Sequence, residues 1–272
     1  MALSTAEFEY VRNFVQDRTG VVLQDSKEYL VEARLGPLAR EVGLAGISEV
    51  IERLRHGDRT MADHVVDAMT TNETSFFRDG RPFDALREGI IPALMQARAN
   101  SRRLSIWCGA AASGQEPYSL AMLLRESFPQ LSVWNLRVLC TDVSPAMIAR
   151  CKEACFAQIE VNRGLSKAKL QRWFDESGAG WRVRNELRVG LEFRVMNLLE
   201  PWPGLVNVDL VMLRNVLIYF DQETKFDVLE RVRRALTPDG FLMLGAAEST
   251  LNTHDGFKRE MIAGASVYRP IK

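Results

Sequence analysis

The chain has 272 residues, of which 47% are apolar, enough for one large domain or two modest ones with a real core. Lys+Arg and Asp+Glu are both 35, so the formal net charge is zero, which argues against nucleic acid as the main partner, since phosphate binding favours a basic excess. No apolar run approaches a membrane span, and the opening MALSTAEFEY lacks a signal-peptide pattern, so the expected location is cytoplasmic, without membrane insertion.

Residues 1–90 read as a helical domain. Phe8, Val11, Phe14 and Val15 recur at helical spacing, as do Leu30, Leu35 and Leu38, and then Ile51 and Leu54. From Arg103 the pattern changes. LSIWC (104–108) is a buried-strand candidate, followed by a helix from Pro117 to Phe128 and a second strand, LRVLCTD (136–142). Ser144 and Pro145 then fit the N-cap and first position of a helix running through Cys155. LEFRVMNLL (191–199) and the start of VDLVMLRNVLIYF (208–220) are further strands. A helix over 224–236, a turn at Thr237–Gly240, a strand over 241–246 and two short strands at 257–260 and 265–269 complete the chain. Strands alternating with helices predict a mostly parallel sheet covered on both faces, occupying residues 91–272. The stretch 156–190 breaks the rhythm, with a helix in SKAKLQRWF and a small β element around SGAGWRVRNELRV. It is expected to be an inserted β-subdomain.

The cysteines are Cys108, Cys140, Cys151 and Cys155. They are expected as reduced, partly buried thiols, with Cys151 and Cys155 spaced to share one helix face. His56, His64 and His254 supply no metal-ligand spacing, so no metal is expected.

WCGAAASGQEPYS (107–119) lies between the first strand and the first helix of the sheet. It holds two glycines five residues apart and no Lys for a phosphate. In an open α/β sheet, ligands sit beyond the C-terminal strand ends. Asp142, at the tip of the next strand, could accept hydrogen bonds from both hydroxyls of a ribose. This layout fits NAD, FAD and S-adenosylmethionine alike, or a structural turn with an N-capping acid. The missing third glycine tells against a dinucleotide, whose pyrophosphate needs that close approach.

TNETSFFR (71–78), the QEPYS tail (115–119), TDVS (141–144), MNLLE (196–200) and LRNVLIYF (213–220) together resemble the chemotaxis receptor methyltransferases, the CheR family. The resemblance runs from about residue 5 to residue 269, with the motifs in family order. It implies a class I S-adenosylmethionine-dependent methyltransferase fold, Rossmann-like with a mostly parallel seven-stranded sheet, joined to an N-terminal helical domain. It implies methyl transfer to glutamates on the cytoplasmic helices of chemoreceptors, giving γ-methyl esters and S-adenosylhomocysteine. The matching cofactor-binding positions are Asn72, Thr74, Arg78, Glu116, Asp142, Asn197, Leu198, Arg214 and Asn215, with Arg78 and Tyr219 at the reaction site. A guanidinium fork at Arg78 matches a carboxylate.

A receptor helix rich in acids fits a basic docking face, for which Arg34 and Arg40 are the candidates. Some family members bind a receptor tail pentapeptide at the β-subdomain edge. The SGAG turn (177–180) looks shorter than theirs, so a pentapeptide-independent monomer is expected. An RNA or amine methyltransferase is an alternative, but the Asn/Asp-Pro-Pro-Tyr/Phe turn typical of amine acceptors is replaced here by LRNVLIYF. A non-catalytic S-adenosylmethionine-binding signalling module is another, and would need neither Arg78 nor the Asn215/Tyr219 motif.

Overall fold

The computed structural model describes residues 3–271. Four helices come first: α1 (Thr5–Thr19), α2 (Glu28–Glu41), α3 (Ile47–Arg55) and α4 (Arg59–Met69). A capping box starts α1: Ser4 Oγ accepts the Glu7 N–H while the Glu7 carboxylate accepts the Ser4 N–H. The expected stripes converge in one core. Phe8, Val11, Val15, Leu35, Leu38, Ile51 and Leu54 are buried, with Phe14 and Leu30 half-buried beside them. This helical core closes at Met69. The next segment, α5 (Arg81–Ala85), a π turn (Leu86–Ile90) and α6 (Ile91–Ala97), buries Phe83, Leu86, Ile90 and Leu94 against the sheet instead.

The sheet begins with β1 (Arg103–Gly109), α7 (Gln115–Ser127), β2 (Asn135–Asp142) and α8 (Pro145–Glu153). The inserted subdomain follows: β3 (Cys155–Ala157), α9 (Gln158–Val161), α10 (Lys167–Trp173), β4 (Phe174–Ser177), β5 (Gly180–Val183) and α11 (Asn185–Arg188). The chain returns through β6 (Leu191–Val195), β7 (Val208–Leu213), α12 (Gln222–Ala235), β8 (Leu236–Leu244), β9 (Phe257–Ile262) and β10 (Ala265–Pro270).

The main sheet has seven strands in the order β6-β2-β1-β7-β8-β10-β9. The first five run parallel, and β10 pairs antiparallel with both β8 and β9. The expected mostly parallel sheet is therefore present. Its faces alternate along β1: Leu104, Ile106 and Cys108 point into the layer under α5–α7, and Trp107 into the layer under α12. The subdomain forms its own sheet, β3-β5-β4, whose core of Phe156, Trp173, Phe174 and Val183 packs on Tyr118 and Met122 of α7. That second contact explains why α7 is buried nearly all round.

Four local expectations change. Helix α8 stops at Glu153 because Ala154 adopts a left-handed cap at φ 58°. Cys155 therefore starts β3 and shares no helix face with Cys151. Strand β6 ends at Val195, opposite Asp142 at the end of β2, so MNLL (196–199) turns away from the sheet. Residues Thr237–Gly240 form no free turn. They lie within β8, whose pairing with β7 jumps from Leu236 opposite Val208 to Phe241 opposite Leu210, and the intervening residues bulge out. The strand before Gly245 ends at Leu244, two residues early.

Candidate active site

The order of strands reverses direction at β1: β2 and β6 lie on one side, β7 and β8 on the other. The crevice beyond the C-terminal ends of β1 and β7 is thus the ligand position of an open α/β sheet. A cavity lies there, open to solvent, with about 840 Å³ of empty space when its solvent-filled mouth is included.

The loop after β1 forms its floor. Ala110 and Ala112 line the cavity and both hold positive φ, 56° and 47°. Each such residue costs about 1 kcal/mol or more and persists only where its surroundings hold it. Ala111 N–H donates to the Thr141 carbonyl at 2.9 Å, Ala112 N–H donates to Asp142 Oδ2 at 2.8 Å, and the Cys151 thiol donates to the Ala112 carbonyl at 3.1 Å. Burial pushes that thiol up to about 12, so it stays protonated as a donor. Alanine methyls at these positions leave only backbone and a small apolar surface facing the ligand.

Asp142 is buried, and its Oδ1 accepts the Ser144 N–H at 3.0 Å. Burial raises its carboxyl above the ordinary aspartate range, against the pull of the Ser144 and Ala112 N–H groups. Each oxygen keeps a lone pair for the cavity.

TNETSFFR crosses from the helical domain to form the facing wall. Phe76 anchors it, buried edge-on between Phe156 and Phe174 of the subdomain. Gly164 makes room for it: a Cβ there would lie 1.8 Å from the Phe76 carbonyl oxygen, and its φ of +95° suits glycine. The Phe77 N–H donates to Ser119 Oγ at 2.9 Å, which donates to the Gln115 carbonyl at 2.6 Å. Asn72, Thr74 and Arg78 all line the cavity. The Arg78 Nη1 donates to the Glu73 carbonyl at 2.8 Å, and the side chain is half-exposed, so its fork retains free donors.

The third wall is the turn after β7. The Arg214 guanidinium is buried and bridges Glu116, at the start of α7, to Asp79 at 2.7 Å. It also donates to the Arg78 carbonyl at 3.1 Å, and its buried Nε has no partner. Asn215 takes φ 60° and faces the cavity beside Tyr219 and Phe220. Asn197 and Leu198 line the remaining side. The Asn197 side chain donates to the Arg18 carbonyl at 2.8 Å and accepts the Leu199 N–H at 3.0 Å. Its amide therefore ties the cavity rim to α1. Thr19 and Val21, at the end of α1, complete the lining, and the Val22 N–H donates to the Tyr219 carbonyl at 2.9 Å.

All ten residues expected from the sequence thus border one cavity. Arg34, one of the two docking candidates, borders a groove with Lys27 and Tyr219 but has its guanidinium engaged by backbone. Its guanidinium turns inward and donates to the carbonyls of Met69 at 2.6 Å and Thr70 at 3.1 Å, and to Thr71 Oγ1 at 3.1 Å. These are the last carbonyls of α4, which any helix leaves unsatisfied. Arg40 is exposed. Sequence reasoning missed Asp79, Thr19 and Val21, and it missed Glu248, whose carboxylate holds the turn after β7. Glu248 lies in the loop four residues past the end of β8, unlike Asp142 at the tip of β2, so the strand-tip signal did not mark it.

The cavity suits S-adenosylmethionine. The carboxylates of Glu73, Glu116 and Asp142 and the guanidiniums of Arg78 and Arg214 line it, the last with a buried unpartnered Nε, and among the described residues no lysine lines it to meet a phosphate. Among the described residues no helix is long and apolar enough to cross a membrane.

Comparison with known proteins agrees. The CheR methyltransferase SAM binding domain matches residues 72–264, and the CheR methyltransferase all-alpha domain matches residues 6–70. Chemotaxis protein methyltransferase 1 of Pseudomonas aeruginosa is 39% identical over 274 residues, covering 99% of each chain. Chemotaxis protein methyltransferase Cher2 of Pseudomonas putida is 37% identical over 275 residues, again 99% of each. A chemotaxis protein methyltransferase of Vibrio anguillarum is 35% identical over 273 residues, 99% of this chain and 98% of that one. With both domains matched and likeness running end to end, the chain belongs to the CheR methyltransferase family and is an S-adenosylmethionine-dependent methyltransferase with a class I fold.

Proposed function

We propose that the protein methylates glutamate side chains on the cytoplasmic helices of chemoreceptors, for adaptation in chemosensory signalling. The observation that carries this reading is the cavity lining, which holds both Arg78 and Tyr219 and, among the described residues, no histidine or lysine. A glutamate carboxylate, with an ordinary pKa of about 4.3, is already an ionised nucleophile and needs none. An amine acceptor would need a group to take its proton.

When bound, S-adenosylmethionine supplies an activated methyl on a sulfonium. In our reading, Asp142 accepts the ribose hydroxyls. Glu116 meets the ammonium, with Arg214 fixing its position. Arg78 holds the methionine carboxylate or, at the mouth, the incoming acceptor. Asn72 and Thr74 add neutral hydrogen bonds that leave the sulfonium charge undisturbed. Asn197 and Leu198 flank the adenine, and Asn215 and Tyr219 line the transfer site. The residues' task is alignment and exclusion of water.

The acceptor helix would lie across the mouth, where Val22 and Ile218 expose apolar surface beside Tyr219. Lys27 borders the same groove. Of the two arginines considered for docking, Arg40 retains a free charge for acidic flanking residues. We propose a monomer working in the cytoplasm. The two-residue Gly178-Ala179 turn between β4 and β5 favours action without a tethered tail peptide, and tight binding of such a peptide would overturn that part.

The test is incubation with methyl-labelled S-adenosylmethionine and receptor cytoplasmic domains. Base-labile label on receptor glutamates is the expected result. Label on RNA alone would defeat the reading.

A further inference from the structure

We propose that Glu248 is a positioning residue for methyl transfer. It sits just past the end of β8 and is 8% exposed. Its Oε2 accepts the Asn215 N–H at 2.7 Å and the Gly245 N–H at 2.6 Å, and its Oε1 accepts the Ile218 N–H at 3.2 Å. One carboxylate thus ties the end of β8 to both ends of the turn that carries Asn215 and leads into Tyr219. Among the described residues no cation pairs with it. Three backbone donors replace the water that a buried carboxylate loses.

The arrangement is built rather than incidental. Asn215 holds φ 60°, a conformation that an unrestrained asparagine leaves readily. Gly245 leaves no room for any side chain: a Cβ there would lie 2.6 Å from Asn215 Nδ2 and 2.7 Å from Glu248 Oε2. The Glu248 N–H itself donates to the Gly245 carbonyl at 2.9 Å, which fixes the carboxylate's approach. Glu248 lines a separate cleft with Asp79 and Arg81 and does not border the cofactor cavity. It therefore acts on the reaction site only through the turn. Loss of the clamp lets the 214–219 turn relax, and misplacement of reacting groups by about 1 Å can cost a hundredfold in rate.

This inference rests on the cavity being the cofactor and transfer site. The variants are Glu248→Gln, Glu248→Asp and Glu248→Ala. The glutamine keeps the volume but turns an NH2 toward at least one of the three donors. The readouts are S-adenosylhomocysteine affinity by calorimetry, kcat and KM on a receptor fragment, and the thermal midpoint. Glu248→Gln should remain folded, with kcat or cofactor affinity reduced about tenfold or more and KM for the receptor fragment unchanged. Glu248→Asp, which restores the carboxylate, should recover part of the loss.

The proposal fails if Glu248→Gln keeps kcat and cofactor affinity within about twofold of the parent. It also fails if the losses in Glu248→Ala merely follow the unfolded fraction. Affinity for S-adenosylhomocysteine needs no acceptor. A parent enzyme that places no methyl on receptor glutamate would sink the assigned reaction, while the affinity comparison would still decide the role of Glu248.

Discussion

Arg214 and Asp79 form an ion pair at 2.7 Å across 135 residues of chain, joining the turn after β7 to the end of the TNETSFFR segment. Only 1% of the Arg214 side chain is exposed, against 36% of Asp79, so the arginine is the buried member. Glu116 holds its other side. Arg214→Ala leaves the largely buried Glu116 without its cation, and breaking a buried pair in this way costs about 3 kcal/mol or more. The expected outcome is a lower thermal midpoint together with loss of turnover. Asp79→Asn should cost much less, because Glu116 still pairs the guanidinium and solvent screens Asp79. Equal effects of the two substitutions would contradict this ranking.

Asp142 has two tasks, to hold the strained Ala112 and to face the ligand. Asp142→Asn keeps the size but turns an amide NH2 toward either the Ala112 or the Ser144 N–H. The loss of an acceptor at a buried donor is worth about 1–3 kcal/mol, and calorimetry should find cofactor affinity weakened by at least about tenfold. Because burial raises the Asp142 carboxyl, the proton is held more tightly than by an ordinary aspartate. Protonation removes acceptor capacity, so affinity in the parent should decline as pH falls toward that raised value. In Asp142→Asn this acid-side decline should be absent. An unchanged pH profile in the variant would assign the dependence to another group.

The periodicity and strand order were legible in the chain because they rest on local patterning: the helical stripe through Phe8, Val11 and Val15, and the continuous apolar runs of β1, β2 and β7. The family motifs gathered the lining residues for a different reason, since composition could not distinguish three classes of cofactor. What stayed hidden depended on long-range partners. A left-handed Ala154 ends α8, and alanine carries no such signal. Strand β6 stops where β2 stops, which no local window contains. Arg34 looked like a surface charge because its acceptors are backbone carbonyls 35 and 36 residues away. Asp79 follows Arg78 directly, yet its role appears only once Arg214 is folded against it.

The placement of Arg34 separates two substitutions that the sequence treats alike. Arg34 caps the end of α4 and holds Thr71, one residue before Asn72, so Arg34→Glu should weaken cofactor affinity and stability as well as receptor methylation. Arg40 is exposed, so Arg40→Glu should lower receptor methylation, chiefly through KM, and leave cofactor affinity intact. The effect at Arg40 should shrink as salt rises, because exposed charges are screened within about 10 Å at 0.1 M ionic strength. The same kcat and cofactor affinity in both variants would remove Arg34 from the framework of the site.

Acid sensitivity should trace to carboxylates remote from the cavity. Arg233 first, then Arg234 and His254, hold the Glu230 carboxyl down at about 2. Hydrogen bonds from Ser48 and then Ser4 hold Glu7 at about 2 as well. A carboxyl depressed in the folded state adds stability that is fully present above its unfolded value, about 4.3, and is lost as pH falls through its folded value. The thermal midpoint should therefore drop steeply between about pH 4.3 and pH 2. Glu230→Gln should lower the midpoint at neutral pH and flatten that acid limb, since the variant has no proton to take up there. His254 adds a check: its Nε2–H donates to Glu230 at 2.9 Å while its Nδ1 accepts the Gly256 N–H at 3.0 Å. An Asn at position 254 can serve only part of this bridge, so His254→Asn should give a smaller midpoint loss than Glu230→Gln, whose carboxylate also binds two arginines. The reverse order would place the weight of this cluster on the imidazole instead of the arginines.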